Sequence, residues 1–182
     1  TTLFRSTAGR LVEQKGYDLL LDTWSKVHQK HPEWILDIYG EGEDKNMLLE
    51  KRKNLALENS VLFHPPTPDI YQKYMDSDFY VMSSRYEGFG LVLAEAMSCG
   101  IPCVSFDCPH GPSDIIKDHE DGLLVEKENI KELADKICYL IENENVRIKM
   151  GHKARENVKR FLPENVMPQW KNLFESLTYS SK

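Results

Sequence analysis

Six short apolar runs, separated by longer stretches with helical period, constrain this chain more than any other feature. Leu3 to Thr7, Trp34 to Tyr39, Val61 to Phe63, Phe79 to Met82, Pro102 to Phe106 and Leu123 to Val125 read as strands. Between them Leu20, Trp24 and Val27 recur at helical spacing, and Ile130, Leu133, Ala134, Ile137 and Ile141 share one helical face. Runs such as ILDIY and FYVM are nearly continuous in apolar character, which suits strands covered by helices on both faces. Strand and helix in alternation predict an α/β fold with an open, doubly wound parallel sheet. In such a sheet ligands bind beyond the carboxyl ends of the strands, so a candidate residue must follow a strand, not precede one. After Val125 only helices are expected: Asn129 to Glu142, Glu144 to Phe161, and Glu164 to Leu177, the last carrying Trp170 and Phe174 at i, i+4.

Composition excludes several classes. The 182 residues are 41% apolar, enough for a sizeable core, and 23 basic against 29 acidic side chains give a net charge of -6. No global positive field is available to hold a nucleic acid, and any anionic ligand must be bound locally. Cys99, Cys103, Cys108 and Cys138 form no CxxC pair and read as reduced thiols. No apolar run approaches the ~20 residues of a membrane span, and TTLFRSTAGR lacks the apolar stretch of a signal peptide. A soluble, cytoplasmic protein is expected. Six bases against two acids between Glu144 and Phe161 read either as a solvated helix face or as a contact with an anionic membrane surface.

The sharpest chemical signal is the segment Glu87-Gly88-Phe89-Gly90-Leu91-Val92-Leu93-Ala94-Glu95, which follows the strand FYVM through Ser83-Ser84-Arg85-Tyr86. Gly88 and Gly90 let the backbone approach a ligand, and a helix opening near Gly90 offers free N–H groups to a phosphate. Glu87 in the loop and Glu95 two turns along the helix would serve different parts of one ligand. A second segment, Gly9-Arg10-Leu11-Val12-Glu13-Gln14-Lys15-Gly16, follows the first strand and brings Arg10 and Lys15 to the same edge, where a planar fork and a point charge suit a pyrophosphate. Gly40-Glu41-Gly42 is a weaker turn of the same kind. Asp76-Ser77-Asp78 precedes a strand and so fails the positional test for a metal site; Asp78 reads as a turn former. The Asp107 to Asp114 loop does follow a strand, with His110 exposed or at the site and Gly111 permitting close approach to a sugar or phosphate. The other histidines show no metal-ligand spacing, and no metal site is expected.

These residues resemble the C-terminal half of a retaining GT-B glycosyltransferase of family 4, the glycosyl transferases group 1. EGFGLVLAEAMSCGIPCV is similar to that family's Glu-x7-Glu signature, and GRLVEQKGYDLLLDTW to its GR…KG segment. The resemblance implies a Rossmann-like domain over residues 1–162 and a C-terminal helix, 163–182, that crosses to an acceptor-binding domain located before Thr1. It implies a nucleotide-sugar donor and no metal or other cofactor. Gly9, Arg10, Lys15, Glu87, Gly88, Phe89, Gly90, Leu91, Glu95 and Gly111 would bind the donor. Arg10 and Lys15 would neutralise the diphosphate, Glu87 would meet the sugar hydroxyls and Glu95 the ribose; Arg10, Lys15 and Glu87 are the catalytic candidates. The acceptor would be a glycan or a lipid-linked glycan, with peripheral association at the inner face of the membrane. The domain alone should bind donor and turn over poorly.

Prolines after Phe63 depart from the family pattern in a loop that often lines the nucleobase pocket, and the His110 to Ser113 loop resembles that of galactosyl- or N-acetylgalactosaminyltransferases, which suggests a UDP donor. Two other readings share the architecture: a sugar-nucleotide 2-epimerase, and a non-catalytic module that binds a phosphorylated ligand.

Overall fold

The computed structural model describes residues 4–179; Leu3 of the first expected strand and the last three residues of the expected C-terminal segment lie outside them. Six strands, β1 (Phe4–Ala8), β2 (Ile35–Tyr39), β3 (Val61–His64), β4 (Tyr80–Met82), β5 (Cys103–Asp107) and β6 (Gly122–Glu126), form one sheet in the order β3-β2-β1-β4-β5-β6. Every pairing is parallel. The order reverses between β1 and β4, and in a doubly wound sheet that switch point is where a crevice opens.

Each face of the sheet carries its own core, as the continuous apolar runs require. On one face α1 (Tyr17–Lys30) and α6 (Ile130–Glu142) pack Leu20, Trp24, Val27, Leu133 and Ile137 against Leu36, Ile38, Val81, Val104 and Phe106. On the other, α3 (Ile70–Met75), α4 (Leu91–Ser98) and α7 (Glu144–Asn157) pack Tyr74, Leu93, Met97 and Ala154 against Tyr80, Met82 and Cys103. The Asn129 side chain caps α6 by accepting from the Glu132 N–H. Two helices contribute little to either core: α2 (Lys45–Asn54) buries Leu48 alone, and α5 (Pro112–Ile115) is a single turn that buries Pro112 and Ile115.

The run Glu144 to Phe161 is not one helix. It ends at Asn157 and tightens into a 3₁₀ turn, Val158–Phe161, before Pro163 opens α8 (Pro163–Tyr179). Its bases do not form one solvated face either. Arg147 is buried, donating to the Leu140 carbonyl at 2.6 Å, and Arg160 donates to the carbonyl of Ile115 at 2.5 Å; Lys149, Lys153, Arg155 and Lys159 remain exposed. No helix among the described residues is long and apolar enough to cross a membrane.

One charge sits inside the first core. Arg5 of β1 is fully buried, with its guanidinium over the Trp34 ring and beside Phe79. Burial pulls its pKa down, and Asp78, 3.9 Å away, opposes that shift. The same carboxylate holds Arg147 at 3.1 Å. Asp78 therefore neutralises two buried cations at the amino end of the sheet. Replacing Asp78 by Ala should cost about 3 kcal/mol, because it strands buried charge, and urea unfolding of D78A beside D78N will measure it.

Candidate functional site

The crevice at the switch point exists because β1 and β4 barely pair. Ser6↔Tyr80 is their one register pair, and beyond it the strands part. Across the gap the Tyr80 hydroxyl accepts from the Ala8 N–H at 3.2 Å and donates to the Ala8 carbonyl at 3.1 Å, satisfying backbone groups that no strand reaches.

Past this point two loops lie against each other. Gly16, at φ +62°, ends the 3₁₀ turn Glu13–Lys15 and starts α1, and a Cβ there would strike the Ser83 carbonyl. That contact places Lys15 beside Glu87, Nζ to Oε1 at 2.7 Å. The Ser84 hydroxyl donates to the same oxygen at 2.6 Å, while the second carboxylate oxygen of Glu87 has no protein partner among the described residues. Lys15 and Glu87 are only 18% and 8% exposed, so the pair is strongly held and poorly screened. Arg85 extends the seam, its guanidinium bidentate to Asp18 at 2.8 and 2.7 Å and also donating to the Glu13 carbonyl. Burial alone would raise the Asp18 carboxyl, but the Arg85 fork outweighs it and holds Asp18 below its ordinary value.

Beside this seam is a cleft of about 320 Å³ between Arg10, Tyr39, Pro66, Thr67 and Glu95. Arg10 is exposed, and its guanidinium makes no hydrogen bond or ion pair among the described residues. Glu95 is likewise unpaired, and burial raises its carboxyl. Val92 lines both this cleft and the small recess around Lys15, Ser84 and Glu87. The sequence candidates from both segments thus meet at one edge.

Gly90, at φ +86°, is the N-cap of α4, whose first N–H groups have no intrahelical acceptor. Phe89 and Leu91 project outward at 41% and 62% exposure. Gly88 differs from the other glycines, since a Cβ there would meet nothing within 4 Å. Its openness serves no internal packing. The close approach that Gly111 permits is of another kind: a Cβ would strike the Phe89 carbonyl, so Gly111 supports the loop from behind. Gly40 and Gly42 similarly lie under the Gly9 and Leu11 carbonyls. Away from the seam, His64 bonds to Asp37 and stacks on Tyr39 at 4.7 Å, and all four cysteines are free thiols. The sequence singled out neither the Arg85–Asp18 fork nor the Ser84 and Tyr80 hydroxyls; the fork and the Tyr80 contact with Ala8 span 67 and 72 residues, which no local pattern carries, while Ser84 lies three residues from Glu87.

The profile of the family described as Glycosyl transferases group 1 matches residues 5–157. The chain belongs to this family. It is 38% identical over 165 residues to the amylovoran biosynthesis glycosyltransferase AmsD of Erwinia amylovora, an alignment covering 91% of this chain and 46% of that protein. Among solved structures, a Staphylococcus aureus TarM variant in complex with fondaparinux, alpha-GlcNAc-glycerol and UDP superposes with a TM-score of 0.90 at 35% identity, over 94% of this chain and 35% of that one. The C-terminal domain of a glycosyl transferase group 1 family protein, LpcC from Francisella tularensis, superposes with a TM-score of 0.78 at 26% identity, over 87% of this chain and 84% of that one. The chain therefore spans about half, or less, of the full-length group 1 proteins it matches here, and most of a domain that crystallised alone.

The two basic candidates differ in how the protein uses them. Lys15→Ala leaves the Glu87 carboxylate buried with one hydroxyl donor and should cost about 2 kcal/mol, whereas Arg10→Ala should change stability by less than about 0.5 kcal/mol. Chemical denaturation of both variants separates the two.

Proposed function

We propose that this chain is the donor-binding half of a retaining, family 4 glycosyltransferase that moves a hexose or N-acetylhexosamine from UDP to a glycan or lipid-linked glycan acceptor. The observation that carries the reading is the unpartnered Arg10 guanidinium and the unpartnered Glu95 carboxylate lining one cleft that adjoins the opening of α4. A nucleoside diphosphate offers the complement of each. Ribose hydroxyls donate to Glu95, and the diphosphate accepts from Arg10, from Lys15 and from the N–H groups around Gly90. The base lies toward Tyr39, Pro66 and Thr67. The donor sugar lies over Gly88, where no side chain intrudes, and one of its hydroxyls donates to the free oxygen of Glu87.

The reaction breaks the bond between the anomeric carbon and the β-phosphate oxygen, and negative charge grows on that oxygen as UDP departs. Fixed cations and amides stabilise the departing group more than the ground state, which is what accelerates the step. Lys15 is held by Glu87 in advance and needs no reorganisation. Two cations and a helix N-terminus supply the charge that a divalent metal supplies elsewhere. The UDP in the TarM complex supports the nucleotide, and its alpha-GlcNAc-glycerol supports a hexosamine; galactose or N-acetylgalactosamine, suggested by the His110 to Ser113 loop, differs in the hydroxyl configuration that Glu87 would read.

The acceptor half is assigned to polypeptide outside this chain, and α8 is its bridge. Met167, Trp170, Leu173 and Phe174 are between 48% and 60% exposed on one helix, an apolar stripe with no core over it among the described residues. We place the enzyme in the cytoplasm, with Lys149, Lys153, Arg155 and Lys159 able to meet an anionic inner membrane face.

Titration calorimetry tests the donor reading. UDP should bind in the presence of EDTA and more tightly than ADP or GDP, and Arg10→Ala should weaken UDP by roughly ten- to a hundredfold. Absence of UDP binding at millimolar concentration would overturn it. Because burial raises the Glu95 carboxyl, its proton is gained as pH falls toward that raised value. UDP affinity should then drop on acidification, and Glu95→Gln should be weaker at neutral pH and lose that part of the pH dependence.

A further inference from the structure

A second cavity opens on the other side of Arg10. It encloses about 490 Å³ between the loops that follow β1, β2, β4 and β6, and Glu13, Gln14, Glu43, Tyr86 and Lys127 line it with Arg10. All four loops lie at the carboxyl edge of the sheet, so this cavity and the donor cleft share one rim, with Arg10 as the wall between them.

Its chemistry differs from that of the cleft. The side chains of Glu13, Glu43, Arg10 and Lys127 make no hydrogen bond or ion pair among the described residues, although all four border one space. Arg10 is assigned above to the diphosphate, which leaves Glu13 and Glu43 against Lys127 alone, so a further phosphate group loses more here than it gains. A neutral polyol suits them better, because each sugar hydroxyl both donates and accepts, and can satisfy a carboxylate on one side and a cation on the other. Tyr86 adds an exposed ring, 56% accessible, which offers an apolar platform to the C–H face of a pyranose. The platform is fixed: Gln14 Nε2 donates to the Tyr86 carbonyl at 3.0 Å, and Arg85 is anchored to Asp18.

We propose that this cavity is a saccharide subsite that holds sugar units of the acceptor beyond the one receiving the transferred sugar. The assignment of the bound glycan as acceptor rests on the glycosyltransferase reading above; the binding of a saccharide does not. The subsite places part of acceptor recognition on the donor half, so that the acceptor chain crosses the Arg10 rim while its reacting hydroxyl faces the donor cleft.

The domain of LpcC that crystallised alone makes this chain a workable sample for binding. Saturation-transfer difference NMR on the 182-residue chain, with maltotriose and N,N′-diacetylchitobiose as probes and UDP present, should show transfer to the sugar ring protons at millimolar concentration. Tyr86→Ala and Glu43→Gln should each reduce that transfer at least threefold and leave UDP affinity within twofold of the parent. Saccharide signals indifferent to both substitutions, no saccharide signal at all, or a signal displaced by inorganic phosphate below 10-fold excess would each overturn the subsite. Failure of UDP to bind while the saccharide response persists would instead remove the donor reading and leave the subsite standing. In the full-length enzyme, Tyr86→Ala should raise the acceptor KM at least fivefold with the donor KM unchanged; a fall in kcat alone would contradict it.

Discussion

The contact of the Lys15 ammonium with the Glu87 carboxylate fixes the rest of the site. β1 and β4 share a single register pair, so the loops beyond them have no sheet to hold them together. The ion pair, the Ser84 hydroxyl on the same oxygen and the Arg85–Asp18 fork close that gap with charge-assisted bonds. Both partners are mostly removed from water, where such bonds are short and directional. Holding Lys15 on Glu87 also divides labour between the two cations. One is preset by the protein, and the other, Arg10, makes no hydrogen bond or ion pair among the described residues, which leaves its donors for the diphosphate proposed above.

This arrangement reconciles an acidic chain with the anionic ligand proposed for it. A net charge of -6 repels phosphate at long range, and at physiological ionic strength that field decays within about 8 Å. Inside the cleft the nearest groups decide the outcome. The acids that could oppose the proposed diphosphate there are either paired, as Glu87 is with Lys15, or set just over one turn into α4, as Glu95 is.

Much of this was legible in the chain because it depends on periodicity and position. Near-continuous apolar runs of four to six residues suit strands with helices on both faces, and the alternation of strand and helix left few topologies open. Glu87, Gly90 and Glu95 were visible because they follow β4 at fixed spacing, and Arg10 and Lys15 because they follow β1. What stayed hidden depends on pairing across the sequence. Arg5 looks like a polar break in an apolar run, yet it is one of the largest fully buried side chains, held by the Trp34 ring and by Asp78. Arg147 reads as one base in a solvated series and instead lies 6% exposed against the same acid. α2 left little trace because it buries only Leu48. Gly111 was legible as a glycine that a close approach required, but the partner in that approach, the Phe89 carbonyl, was not.

Gly88 stands apart among these glycines in what it leaves undecided. At Gly16, Gly40, Gly42 and Gly111 a methyl group would press on a carbonyl of the chain itself, so folding and occupancy are penalised together. At Gly88 the surrounding space is empty, and an added methyl would leave the apoprotein's thermodynamics nearly untouched. That single position uncouples the demands of the polypeptide from those of the donor proposed to lie over it, and the steric tolerance at Gly88 would belong to that guest alone.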